Sequence, residues 1–215
     1  MHRRHRNWSA VFAAAALAAA VGGCSDSSAP DPSVPSAPGD VKISTDLGIV
    51  RRSPAINGFV DTVVTFYAVR GQEREGKIFF LAPDGGIGEE FVRLKVGSAT
   101  LLARPDGSPV AQGDSVLITM RVVDPALLLV EFQPSGLQFN PNEPAELEMR
   151  FAEADDDLNG DGTHDSEDDA LLSSLGIWRQ ELPGLPFVRL DSSLFTSLTS
   201  CDAKITGFTR YALAY

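Results

Sequence analysis

Histidine is nearly absent from this chain. Only three occur in 215 residues, and two of them, His2 and His5, lie in the first 23 residues beside Arg3, Arg4 and Arg6. That stretch has the layout of a removable leader, so His164 is the only imidazole of the processed chain. A Ser-His-Asp triad would have to use it from inside a run of acids, and a zinc site of His and Cys lacks ligands. Basic residues are scarce as well. Lys and Arg number 18 against 29 Asp and Glu, a net charge of −11. Without the three leader arginines the balance is 15 against 29, or −14. Nucleic acid needs clustered Lys and Arg, and so does docking by charge on an anionic membrane; neither is available here. Calcium or a basic partner is the natural counterpart. No Gly-rich phosphate loop precedes a helix. Paired carboxylates exist in any chain this acidic, so a carboxylate-based hydrolase stays open.

Cysteine is the next scarcity: there are two, Cys24 and Cys201. MHRRHRN is a positive segment, WSAVFAAAALAAAV an apolar one too short for a comfortable membrane span, and Val21-Gly22-Gly23-Cys24 follows at once. This order resembles the lipobox of bacterial lipoproteins, with Val where Leu is commoner. The resemblance implies a signal peptide over 1–23, cleavage before Cys24 and lipid on that cysteine. Each buried CH₂ of such an anchor contributes about 0.8 kcal/mol, and several chains hold firmly. An ordinary secretory signal with an incidental Cys is the other reading. With Cys24 lipidated, Cys201 has no partner for an intrachain disulfide and reads as a small buried apolar residue. After Cys24, the tether over 24–40 continues from Ser25 as SDSSAPDPSVPSAPGD, too rich in Pro and Ser to bury a core. As an extended tether this stretch reaches roughly 50 Å.

From 41 to 215 the character changes to short runs of Val, Ile, Phe and Thr. Val116, Ile118 and Met120 alternate cleanly with Leu117, Thr119 and Arg121, while Phe91, Leu94 and Val96 alternate imperfectly. Turn signals separate the runs at Pro83-Asp84-Gly85-Gly86, Pro105-Asp106-Gly107 and Gln112-Gly113-Asp114. Strands at this spacing predict a mainly β fold, an antiparallel Greek-key β-sandwich, as one domain or as two with a break near 100–125. Trp178 and Tyr211 fit either its buried core or a sugar-binding face.

One segment is helical. In SEDDALLSSLG, Ser166 is placed to N-cap, Asp169 to complete a capping box, and Gly176 to stop the helix. Leu171, Leu172 and Leu175 share a face. The helix follows nine carboxylates in seventeen residues, Glu153 to Asp169, with no Lys or Arg among them. Such a run repels itself. Counting from Asp157, a twelve-residue loop places Asn159 at three, Asp161 at five, Gly162 at six, Thr163 at seven, Asp165 at nine and Asp168 at twelve. Calcium takes 6–8 oxygens; alternate side chains supply them, Gly turns sharply at six, and position seven gives a backbone carbonyl.

DLNGDGTHDSEDDALL resembles an EF-hand-type calcium loop, and within that class the dockerin repeat, which also lacks an entering helix. The resemblance implies Ca²⁺ held by Asp157, Asn159, Asp161, Thr163, Asp165 and Asp168. Two features differ: dockerins carry two repeats, and this chain shows one, so cohesin binding does not carry over; and Asp168 is shorter than the usual Glu. An acidic surface loop that binds nothing is the alternative. The loop and helix, 153–176, read as an insertion between strands at 145–152 and 176–182. EFQPSGLQFNPNEPAELEMRF, Glu131 to Phe151, with its Pro, Gly, Phe, Pro, Leu run between two strands, is similar to a segment of ZU5-type β-sandwich domains, as is GFTRYALAY at 207–215. That likeness implies a role in interaction or scaffolding and no catalytic residues.

Together these readings anticipate an exported, membrane-anchored, calcium-binding envelope lipoprotein. It acts as a binding or assembly module toward a protein or glycan, with a hydrolase or a carbohydrate- or small-molecule-binding module as alternatives.

Overall fold

The fold is described from a computed structural model covering residues 43–44 and 47–215. The signal peptide, the lipobox with Cys24 and the tether over 24–40 lie outside the described residues. Two antiparallel sheets make up the molecule. The first has seven strands in the order β1 (Ile43–Ser44), β11 (Phe187–Arg189), β10 (Gly176–Gln180), β14 (Arg210–Ala214), β7 (Leu129–Gln133), β6 (Ser115–Val122) and β2 (Val63–Val69). The second has five, in the order β12 (Ser192–Phe195), β13 (Ser200–Ile205), β9 (Ala145–Arg150), β4 (Ile87–Val96) and β3 (Arg74–Leu81). A small third ladder joins β5 (Leu101–Ala103) to β8 (Gln138–Phe139).

Tight turns join β3 to β4 and β6 to β7, and short links join β10 to β11 and β12 to β13. Other neighbours, such as β4 and β9, β9 and β13, or β7 and β14, meet only after the chain has visited the opposite sheet. This interleaving covers the apolar face of each sheet with the other, which is what an antiparallel strand pattern with one oily side requires.

The core is one continuous cluster. It takes Ile118, Met120, Phe132 and Leu213 from the first sheet and Phe80, Leu94, Leu147 and Met149 from the second. Residues on both sides of 100–125 contribute to it. Burying side chains of this size contributes about 1.5–3 kcal/mol each. Aromatic contacts add geometry: Phe59, Phe80 and Phe91 meet pairwise with centroids 5.1–5.4 Å apart, and Phe208 meets the edge of Phe139 at 4.9 Å. Gly76 permits the sheets' close approach. A β-carbon there would lie 2.4 Å from the Phe66 ring and 2.7 Å from the Met120 sulfur.

The alternation on β6 holds: Val116, Ile118 and Met120 are buried, and Leu117 and Arg121 face water. The imperfect alternation around Phe91 has a structural cause. Ile78 pairs with Val92, but Phe79 pairs with Glu90, so Phe91 is an extra residue in a β-bulge. Phe91 and its neighbour Val92 are consequently both buried. Leu137 and Phe139, the apolar pair of the Pro-rich bend, are buried too. Trp178 and Tyr211 belong to the interior rather than to a sugar-binding face. The indole N–H donates to the Ala214 carbonyl at 3.1 Å and the phenol to the Gly207 carbonyl at 2.6 Å.

Candidate functional site

The acidic segment does stand between β9 and β10, as an excursion that closes with helix α1 (Ser166–Ser173). Its first residues are paired. Ser53 N–H donates to the Glu153 carbonyl at 2.9 Å, Asp155 N–H donates to the Arg51 carbonyl at 2.9 Å, and Arg52 bridges Ala154. The acidic link therefore runs antiparallel to Arg51–Ser53, with two arginine residues on the neighbouring strand.

The helix start differs from the sequence expectation by one residue. Asp165, not Ser166, is the N-cap; its Oδ1 accepts the Glu167 amide at 2.7 Å, and Asp168, not Asp169, closes the capping box. Both assignments place a hydroxyl or carboxylate three residues before an acid. Asp165 wins because its extended backbone (φ −144°) turns the carboxylate onto the first free amides, and a charged acceptor there also faces the positive helix end. The helix ends at Ser174, and Gly176 opens β10 instead of stopping the helix. Leu175 is buried, and Leu172 packs against the core.

Within the loop the self-repelling carboxylates are met by backbone amides. The Asp157 carboxylate accepts from Gly160 at 2.8 Å, Asp161 at 3.0 Å and Gly162 at 2.8 Å. Asn159 Oδ1 accepts the Asp161 amide at 2.9 Å. Asp161 Oδ1 accepts both the amide and the hydroxyl of Thr163, at 2.9 and 2.7 Å. Positive φ at Gly160 (+77°) and Gly162 (+93°) turns these amides inward, a conformation L side chains rarely adopt. Asp168 closes the ring from the helix. Its Oδ1 accepts Leu158 at 2.8 Å and Asn159 at 3.0 Å, and its Oδ2 accepts Asp165 at 2.9 Å.

Asp168 is 1% exposed, yet shallow: loop amides, rather than a deep apolar interior, cover it. Those amides, Asp165 first, hold its carboxyl below the usual carboxylate range. The Thr163 hydroxyl and amide do the same for Asp161. His164 is exposed; its Nδ1 donates to the Asp156 carbonyl at 3.1 Å, a contact that raises its pKa with help from neighbouring acids.

Of the six residues assigned to calcium, Asp157, Asn159, Asp161, Thr163 and Asp168 share this hydrogen-bonded ring. Asp165 is turned to the helix, with its amide in the ring. Among the described residues, no three His, Cys, Asp or Glu side chains converge as a metal cluster. The six assigned residues offer oxygens only, from carboxylate, amide, hydroxyl and backbone groups, which is the set a hard cation such as Ca²⁺ accepts. Sequence reasoning missed what holds the loop to the sandwich. Leu158 packs on the core, and its carbonyl accepts the Tyr215 hydroxyl. A crevice of about 190 Å³ lined by Val50, Phe151, Leu158, Leu172 and Leu175 marks the seam.

Among known proteins, no family model, no curated protein and no solved structure matches this chain.

Proposed function

We propose that this protein is an exported lipoprotein, held to a bacterial membrane by lipid on Cys24. It displays a β-sandwich that works by binding or assembly, steadied by calcium in the 157–168 loop. The observation that carries the calcium part is the ring of amides drawn onto Asp157 and Asp168. It presents the loop's first and twelfth positions in one closed turn against the sandwich. Asp157, Asn159, Asp161, Asp168 and the Thr163 carbonyl would hold the ion, with Asp165 reaching it through water. Calcium there would neutralise charge that the amides meet only in part. A structural role fits better than sensing, because one short helix offers no pair of helices to open.

The binding role is preferred to a carboxylate-based hydrolase on a specific observation. Glu148 and Asp202 are directly opposite one another on β9 and β13, but both Glu148 oxygens are taken by guanidinium groups, from Arg93 and Arg150. A carboxylate so neutralised is a poor base.

Thermal unfolding of residues 38–215, which include the whole described core, tests the calcium reading. At 100 times its Kd a ligand stabilises by about 2.7 kcal/mol, a rise of roughly 5–10 °C in a domain of this size. Identical midpoints in calcium and in chelator, with no calcium binding by calorimetry, would remove the ion from the reading.

A further inference from the structure

The outward face of the five-stranded sheet carries charges in register across its strands. In one row Glu75, Lys95, Glu146 and Lys204 stand opposite one another on β3, β4, β9 and β13. Sign alternates at every step, and Glu146 pairs with both lysines. The next row runs Lys77, Arg93, Glu148, Asp202 and Ser193. Here alternation breaks twice: two cations, Lys77 and Arg93, stand opposite one another, and two acids, Glu148 and Asp202, are placed face to face. Like charges directly opposite on a sheet are destabilising. Glu148 is neutralised by Arg93 and Arg150. Asp202 takes part in no ion pair among the described residues, and its Oδ1 is shielded from water with no hydrogen-bond partner. Burial, aided by Glu146, raises its pKa despite Arg93, Arg150 and the neighbouring Ser200.

Asp202 lines a groove of about 520 Å³. Asp191, Ser193 and Phe195, from the β11–β12 corner and β12, form the side of that groove beyond Asp202. The groove's own cations, Arg93, Lys95 and Lys204, are already paired with glutamates, whereas Asp202 and Asp191 take part in no ion pair among the described residues, and the groove is where a further cation would enter. Asp202, Asp191 and Ser193 together offer acceptors for the three N–H donors of an ammonium group. The Phe195 ring, 41% exposed, offers an apolar wall and a π face for a cation on a carbon stem.

We propose that this groove binds an alkylammonium group, with Asp202 as its counter-ion, Asp191 and Ser193 as further acceptors and Phe195 against its methylenes. The group could come from a free diamine or from a lysine side chain of a partner protein; the chemistry recognised is the same. The inference lies outside the calcium loop and depends neither on the ion nor on the lipid anchor.

Calorimetric titration of the protein at low salt with cadaverine, and separately with Nα-acetyl-lysine amide, tests it. Low salt is used because surface electrostatics are screened. Saturable binding is expected, weakened about tenfold or more in Asp202→Asn by loss of a charge-assisted hydrogen bond. Asp61→Asn removes the same charge from an exposed loop and is expected to leave affinity unchanged. Phe195→Ala keeps every charge and is expected to weaken binding several-fold, which covers the case of an Asp202 variant that fails to fold. Tighter binding of the acetyl-lysine amide would mark a protein side chain as the source, and tighter binding of cadaverine a free diamine. Absence of saturable binding overturns the proposal. So does equal weakening by Asp61→Asn and Asp202→Asn, which is the signature of unspecific attraction to an acidic protein, and so does unchanged binding in both Asp202→Asn and Phe195→Ala.

Discussion

The hydroxyl of Tyr215 donates to the carbonyl of Leu158, fastening the acidic loop to the end of β14. The same tyrosine covers Gly48, whose missing β-carbon leaves room for the ring. Loop, β14 and the segment before β2 thus meet at one side chain. Tyr215→Phe deletes the hydrogen bond and keeps the ring. A loss of about 1 kcal/mol in the local stability of the loop is expected. Amides 158–168 should exchange faster while those of β9 and β14 keep their protection, as hydrogen exchange read by mass spectrometry would show. Uniform change across the molecule would mean that the contact supports the whole fold rather than the loop.

Asp161→Ala separates the ion from the loop's own hydrogen bonds. The variant loses the acceptor of the Thr163 amide and hydroxyl, so it is expected to unfold somewhat earlier even in chelator. The informative quantity is the difference between calcium and chelator. That difference is expected in the parent and absent in Asp161→Ala. An unchanged difference would show that calcium acts elsewhere.

Cys24→Ser addresses the anchor. Cells fed labelled fatty acid are expected to label the parent protein and leave it with the membrane fraction. The serine variant should carry no label and be released, because its oxygen cannot form the thioether that holds the lipid. Continued labelling of the variant would place the lipid at another residue.

Cys201 is a core residue, and its thiol is pushed up to about 12, chiefly by burial, with Asp202 adding to the effect. The thiolate is the reactive form. In residues 38–215, which lack Cys24, iodoacetamide at pH 8 is therefore expected to leave the folded protein unmodified and to label it promptly in denaturant. Cys201→Ala should cost on the order of 1 kcal/mol through a small cavity and leave ligand binding intact. Native-state labelling at the rate of a free thiol would contradict this placement.

Glu131 links pH to stability. Burial disfavours its charge, but hydrogen bonds from Gln133 and Arg210 and the charges of Arg121 and Arg210 outweigh that and lower its pKa. The folded state therefore binds this proton more weakly than the unfolded chain. Its stabilisation is complete above the unfolded carboxylate range, about pH 5, and is lost as pH falls through the lower folded value. Partly screened by water, the cluster contributes about 0.5–1 kcal/mol. Glu131→Gln should lower stability at pH 7 by that amount and converge on the parent in chemical denaturation once the pH falls below the lowered folded value. A constant gap at all pH values would show that packing, not charge, is what the variant loses.

Much of this fold was legible locally. A strand writes its face with a period of two, so β6 could be read from Val116 to Met120 without knowing its neighbours. Turn glycines were legible because positive φ at Gly85, Gly107 and Gly113 is a demand of the local backbone. The acidic loop and its helix were legible because capping and turn hydrogen bonds span only a few residues. The shift from Ser166 to Asp165 at the cap shows the limit: both satisfy the local rule, and the extended backbone before the helix chose between them.

What the sequence determined by itself is where the chain is extended, where it turns and where it is acidic, since those follow from bonds and sterics between near neighbours. Tertiary structure alone decided which strands became partners. Alternation says which side of a strand is oily and nothing about the strand it will lie against. The bulge at Phe91, the docking of Leu158 beneath Tyr215 and the placing of Asp202 opposite Glu148 all come from residues far apart in the chain. Their energies arise only once the sheets are paired, because charge and packing act over distance in space.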